Sequence, residues 1–343
     1  MLAAAPIRAR SWSLLAETEA LAGAPERGRA LAETALELKP TELLALIHRV
    51  RAQLGDGEGA EAVRTLNLAL RRHGEQRRAL LPLMAAALRT GEGLKAFAAH
   101  AADGADWVDP MLRLLPEAED GVTLLYRTER ALLAAGVARE DALNGSMRAL
   151  HAKERSDLAY RLFLASLDPE AKARSGYVHD AGFEVEPSGR MHDWVLSDTA
   201  GVAVSWSPAE DDAPAGGTAG EGWSDARVAI RFGARPVQRI GLEQVLSLPP
   251  GQYRFTTRFK ARDLVAPKGV AWMLRCGGAG TPFVLEIPGG TYDSEARSVE
   301  FTLPVACERS TLTLAPVEAT RSFRHVYRGA LDIHEARIER TGA

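Results

Sequence analysis

The chain has 343 residues, 46% of them hydrophobic and 25% charged, which suits a globular protein long enough for two ordinary domains. A formal net charge of −3 argues against a dedicated nucleic-acid binder, whose domain would carry a strong basic excess, and leaves room for local basic patches. No apolar run reaches the roughly 18 residues that a membrane-spanning helix needs, so no membrane span is expected.

The opening Met1-Leu2-Ala3-Ala4-Ala5-Pro6-Ile7-Arg8-Ala9-Arg10 has no basic segment followed by an apolar one, and so does not read as a signal peptide. The expected location is the cytoplasm, or the periplasm or cell envelope if an export signal was trimmed from the chain. Beyond this opening, apolar residues recur at helical spacing, as in Leu83-Met84-Ala87-Leu88. A comparison of the chain with itself at a step of 34 is productive. Trp12, Leu15, Gly28, Ala32, Ala35 and Pro40 map onto Leu46, Arg49, Ala62, Leu66, Ala69 and Gly74. A third register keeps Ala96 and then decays. Small residues at Gly28, Ala62 and Ala96 would let two helices approach closely, while Pro40 and Gly74 fall where a helix must stop. Further helices are predicted near 119–135, 139–153 and 155–167, the last ended by Asp168-Pro169.

Near residue 176 the period changes to two, as in Tyr253-Phe255-Thr257-Phe259. This predicts two bodies, an all-helical domain over 1–175 and an all-β domain over 176–343. Strands are predicted at about 182–186, 193–197, 202–206, 226–232, 240–248, 252–260, 270–276, 283–287, 297–303, 310–315 and 328–339. Turns such as Pro187-Ser188-Gly189, Pro249-Pro250-Gly251 and Pro288-Gly289-Gly290 separate them, the pattern of an antiparallel β-sandwich. The Ala-, Gly-, Asp- and Pro-rich stretch from Ser207 to Gly222 predicts a long loop. Cys276 and Cys307 both fall near strand ends, where they either form a disulfide, implying an oxidising compartment, or stay as two buried thiols.

No catalytic constellation stands out, and the expected class is non-catalytic. The acidic clusters Glu117-Ala118-Glu119-Asp120 and Glu210-Asp211-Asp212 read as exposed charge rather than as a glycosidase pair. There is no GxSxG elbow and no HExxH, since His334-Glu335 lacks a second histidine. Gly216-Gly217-Thr218-Ala219-Gly220 lacks the Lys-Ser/Thr of a phosphate loop.

The register of 34 in the helical half resembles the tetratricopeptide repeat family. That resemblance implies a scaffold that binds a protein partner. The β half is similar to jelly-roll, galactose-binding-like carbohydrate-binding modules. The likeness rests on Gly182-Phe183-Glu184, Asp193-Trp194, Leu248-Pro249-Pro250-Gly251-Gln252-Tyr253, Ala271-Trp272-Met273-Leu274-Arg275-Cys276 and Gly329-Ala330-Leu331-Asp332-Ile333. It covers about half the chain and implies a glycan ligand. The combination of the two halves resembles bacterial proteins of exopolysaccharide or cell-envelope systems. In such modules a glutamate of the opening motif and an aspartate of the last strand often hold a structural calcium, which here would fall to Glu184 and Asp332. The segment Leu331-Asp332-Ile333-His334-Glu335 departs from the pattern by lacking an adjacent pair of aspartates. No other cofactor is implied.

Sugar recognition uses a flat ring plus a few polar groups. Trp272, Trp206 and Trp194 read as core or structural by phase. Trp223, beside the predicted loop and out of phase with Val228, Ile230 and Phe232, is the stacking candidate. In the strand 252–260, Arg254, Thr256, Arg258 and Lys260 face away from Tyr253, Phe255 and Phe259. Arg227 and Arg231 are outward in their strand, and Arg275 in its own. If these strands share a sheet, one face carries a guanidinium stripe suited to an acidic polysaccharide or an acidic protein surface. The bland alternative is a solvated sheet face offset by acids such as Glu300. The function expected is a non-catalytic adaptor that binds a glycan through the sandwich and a protein through the helices. The alternative is a structural or protein-interaction subunit of a bacterial envelope or secretion assembly.

Overall fold

The computed structural model describes residues 8–209, 226–277, 280–304 and 307–342. The predicted loop beyond residue 209, the clusters at 210–212 and 216–220, and Trp223 lie outside the described residues. The chain divides into two compact units between Lys153 and Glu154.

The first unit is helical: α1 (Ala9–Leu21), α2 (Pro25–Leu38), α3 (Leu43–Gly55), α4 (Gly59–Arg72), α5 (Arg77–Leu88), α6 (Gly91–Ala102), α7 (Val108–Leu114), α8 (Gly121–Ala134) and α9 (Glu140–Ala152). α1 packs on α2, α3 on α4 and α5 on α6. The leading members of these pairs begin at Ala9, Leu43 and Arg77, a constant step of 34 residues. Small residues permit the close pairing. A Cβ on Gly28 would lie 2.8 Å from the Ala16 carbonyl oxygen, and Ala32 and Ala35 of the same helix are buried. Pro25 starts α2 where no amide hydrogen is needed. Thr90 caps α6 by accepting from Gly93 N at 3.0 Å. Further along, Trp107 donates to Asn67 Oδ1 at 2.8 Å and receives the edge of Phe97 at a centroid distance of 5.3 Å.

The second unit opens with α10 (Ser156–Ser166) and α11 (Pro169–Ala173) and continues as a jelly-roll β-sandwich. Its strands are β1 (Trp194–Leu196), β2 (Val202–Ser207), β3 (Arg227–Arg235), β4 (Leu242–Leu248), β5 (Gly251–Val265), β6 (Val270–Cys276), β7 (Gly280–Ile287), β8 (Gly290–Leu303), β9 (Cys307–Pro316) and β10 (Tyr327–Arg340). They form two antiparallel five-stranded sheets, in the orders β1-β4-β9-β6-β7 and β2-β3-β10-β5-β8. The compact unit starts earlier than the change of hydrophobic period near residue 176, because α10 packs on β4 and β9. Period reports the local backbone, whereas a compact unit is set by which core its apolar face joins.

Alternation builds the sandwich. Val228, Ile230 and Phe232 of β3, Tyr253, Phe255 and Phe259 of β5, and Trp272 and Leu274 of β6 are buried in one shared core. Phe255 stacks on Phe283 at 4.9 Å and meets Trp272 edge-on at 5.7 Å. Each such side chain contributes about 2 kcal/mol through burial. A polar chain runs into this core: Trp272 Nε1 donates to Thr257 Oγ1 at 3.1 Å, and that hydroxyl donates to the Glu335 carbonyl at 2.8 Å. Cys276 and Cys307 form a disulfide between the end of β6 and the start of β9, their Cα atoms 5.4 Å apart.

The predicted strand at 182–186 is not one. Asp180 accepts from the amides of Glu184 and Val185, each at 3.0 Å, and folds the segment into a turn. Asp180 and Phe183 both take left-handed backbone angles, with φ of 46° and 55°. Phe183 nevertheless reaches the core, 4.9 Å from Trp194, and the Trp194 indole donates to the Asp180 carbonyl at 3.1 Å.

Candidate functional site

Sheet β2-β3-β10-β5-β8 turns one side to the core and the other outward. Because β10 lies between β3 and β5, the outward residues of three strands adjoin. Arg227 and Arg231 stand on β3, and Arg254, Arg258 and Lys260 on β5, so the structure brings these five predicted side chains to one sheet. Arg275 belongs to β6 in the opposite sheet and is not part of that face. The sequence could not separate these cases, since phase gives a residue's side of a sheet and not which sheet it is in.

The face is an array of ion pairs rather than a bare cationic stripe. Arg254 Nη2 donates to Glu300 at 2.7 Å across the β5–β8 pairing. Arg258 Nε lies 2.9 Å from Glu335, and Arg337 donates to the other oxygen of that carboxylate at 2.7 Å. Arg231 Nη1 donates to Asp332 at 2.6 Å. Lys260 stands opposite Asp332 in the β5–β10 register. The acids arrive on β8 and β10, strands remote in sequence from the arginines they face. Alternation marks Glu300 and Asp332 as outward, whereas Glu335 is turned outward by the bulge after Ile333, and register is needed to pair all three.

Between β5 and β8 the face sinks into an open trough of about 510 Å³, lined among others by Arg254, Thr256, Arg297, Ser298 and Glu300. Thr256 and Ser298 are direct partners in register, next to the partners Arg254 and Glu300. Guanidinium donors, carboxylate acceptors and two hydroxyls that do both are thus gathered within two residue rows. Behind this wall, Tyr253 donates to Pro249 O and Tyr292 to Pro288 O, each at 2.6 Å. Burial pushes both phenols up to about 12, so they stay neutral at ordinary pH. Of the trough, Thr256, Arg297, Ser298 and Glu300 were not selected as site residues from the sequence.

Of Glu184 and Asp332, the two residues suggested for calcium, Asp332 accepts from the Arg231 guanidinium, and Glu184 follows the turn made by Asp180. Among the described residues, no group of three or more His, Cys, Asp or Glu side chains is arranged to hold a metal ion.

No family model matches the chain, and no curated protein matches it. Solved structures do resemble it over about half its length. A putative sugar-binding protein from Bacteroides thetaiotaomicron is 11% identical with a TM-score of 0.34, covering 49% of this chain and 100% of that one. The CBM22-1 xylan-binding domain of Paenibacillus barcinonensis Xyn10C is 12% identical with a TM-score of 0.30, covering 48% and 93%. TmCBM61, solved with β-1,4-galactotriose, is 20% identical with a TM-score of 0.30, covering 49% and 99%.

Proposed function

We propose that the chain is a non-catalytic adaptor whose β-sandwich recognises a glycan on the outward face of β5, β8 and β10. The observation that carries this reading is the trough where Arg254, Glu300, Thr256 and Ser298 stand in adjacent rows. A sugar presents neighbouring hydroxyls, each a donor and an acceptor. A wall of alternating fixed donors and acceptors matches that demand. Because Arg231, Arg254 and Arg258 already face carboxylates, the trough favours neutral or weakly acidic polymers over strongly anionic ones.

The helical unit is read as a tetratricopeptide-like array that engages a protein partner. The constant step of 34 residues between α1, α3 and α5 supports this. The Cys276–Cys307 bond fits an oxidising compartment, such as the periplasm or the cell envelope.

The test is glycan-array binding by the full chain beside its Arg254→Ala/Arg258→Ala variant. Binding to a neutral or mixed polysaccharide that falls at least tenfold in the variant supports the reading. An array with no binding at all overturns it, and leaves a structural subunit that uses the same face against another protein.

A further inference from the structure

Two concavities of the second unit share Arg174 and Asp180 in their lining. The larger, about 560 Å³, lies between residues 173–184 and the last residues of β10, and is lined by Tyr177, Glu184, Arg337, Glu339 and Arg340 among others. The smaller, about 190 Å³, is lined by Asp168, His179, Asp180 and Asp193 among others. Arg174 Nε is buried and meets no acceptor among the described residues.

The nearby acids are already spent on backbone amides. Asp168 accepts from Ala171 N at 2.7 Å. Asp180 accepts from Glu184 N and Val185 N, and Asp193 from Ser188 N at 2.9 Å and Trp194 N at 2.6 Å. The fold has thus placed a cation on the wall of its larger cleft, with Asp168, Asp180 and Asp193 already engaged by backbone amides. The cleft also runs along an open edge of β10. Pairing with β3 ends at Ile333, and beyond it Ala336 N–H is taken on that side by the Ala181 carbonyl.

The lining specifies the ligand. Arg174, with Arg337 and Arg340 beside it, offers forked donors for an anion. Glu184 and Glu339 on the same walls would accept from hydroxyl groups. A singly charged carboxylate carried on a polyhydroxylated ring meets both requirements. We propose that this cleft binds a uronic-acid residue of a glycan, its carboxylate on Arg174 and its hydroxyls on Glu184 and Glu339. The inference rests on the glycan reading above and adds a second site next to the trough, since Arg337 and Glu339 stand opposite Thr256 and Arg254 in the β5–β10 register.

The test is calorimetric titration of the full chain with trigalacturonate, and with the same trisaccharide after reduction of its carboxylates to hydroxymethyl groups. The acid form is expected to bind at least tenfold more tightly than the reduced form. Arg174→Gln should lower its affinity at least tenfold, and Arg174→Lys by less. Melting curves establish that the variants are folded; should Arg174→Gln not fold, Glu184→Gln is expected to weaken trigalacturonate binding several-fold. Equal affinity for the acid and reduced forms, or unchanged affinity in the folded Arg174 and Glu184 variants, overturns the inference. If trigalacturonate fails to bind while an array glycan binds the trough, only this inference falls. If neither binds, both readings fall.

Discussion

Arg258 on β5 lies 2.9 Å from Glu335 on β10, directly across the strand pairing and next to the bulge between Ile333 and Glu335. Arg337 donates to the same carboxylate, so Glu335 holds two guanidinium groups on the outward face. Its side chain is only 16% exposed, whereas those of Arg258 and Arg337 are 35% and 48% exposed. Glu335→Gln is expected to cost about 1 kcal/mol of stability, the scale of a partly exposed pair. It should also strengthen retention on a sulfated resin, with a steeper dependence on salt. Urea unfolding and salt elution check the two effects.

The polar chain inside the sandwich makes a sharper prediction. Thr257→Val keeps the shape of the side chain but removes the acceptor of the buried Trp272 indole, together with the bond to the Glu335 carbonyl. Leaving that donor unmet should cost about 2 kcal/mol. Thr257→Ser, which keeps the hydroxyl, should lose about 1 kcal/mol or less, so the two variants separate hydrogen bonding from packing in thermal melts.

The helical unit carries its own titration. Glu129 of α8 is 1% exposed and accepts from Ser146 of α9. Burial pushes its carboxyl up to about 7, above the 4.5 of an ordinary glutamate. The folded state therefore holds a proton that the unfolded state releases at lower pH. Stability should fall as pH rises from about 4.5 to about 7, and level off beyond that. Glu129→Gln, which cannot ionise, should raise stability by about 2 kcal/mol at pH 8 and have little effect near pH 4. Denaturation curves against pH give the answer; a gain independent of pH would contradict it.

The disulfide closes a loop with a sequence separation of 31 residues. Cys276→Ser/Cys307→Ser is expected to lose about 3 kcal/mol, mainly by freeing the unfolded chain. Reduction of the unmodified chain should lower its melting temperature towards that of the variant, while reductant leaves the variant unchanged.

Much of the fold is written in residue spacing, and the exceptions share a cause. Gly28 and Ala32 mark a close helix pairing because only small side chains fit there. The alternation of Tyr253, Phe255 and Phe259 marks β5 because one side of a strand must be buried. By contrast, the segment 182–186 has strand-like composition and folds as a turn, since a single carboxylate, Asp180, captures two amides ahead of it. Arg275 shares its outward phase with Arg254 but not its sheet. The carboxylates that face the arginines, Glu300, Asp332 and Glu335, lie 46, 101 and 77 positions from Arg254, Arg231 and Arg258 respectively. Spacing records local geometry; strand order and register are set by the whole core, so a site made across strands is legible only once the sheets are known.

The central claim is that glycan binds over β5, β8 and β10, and hydrogen–deuterium exchange of the full chain tests it most directly. The measurement compares the chain alone with the chain saturated by the glycan that binds most tightly on the array. Slower exchange is expected in the segments around Arg254–Lys260 and Ala296–Glu300, with the edge strand β7 of the opposite sheet unchanged. Protection confined to β6 and β7, or no protection under saturating glycan, would contradict it.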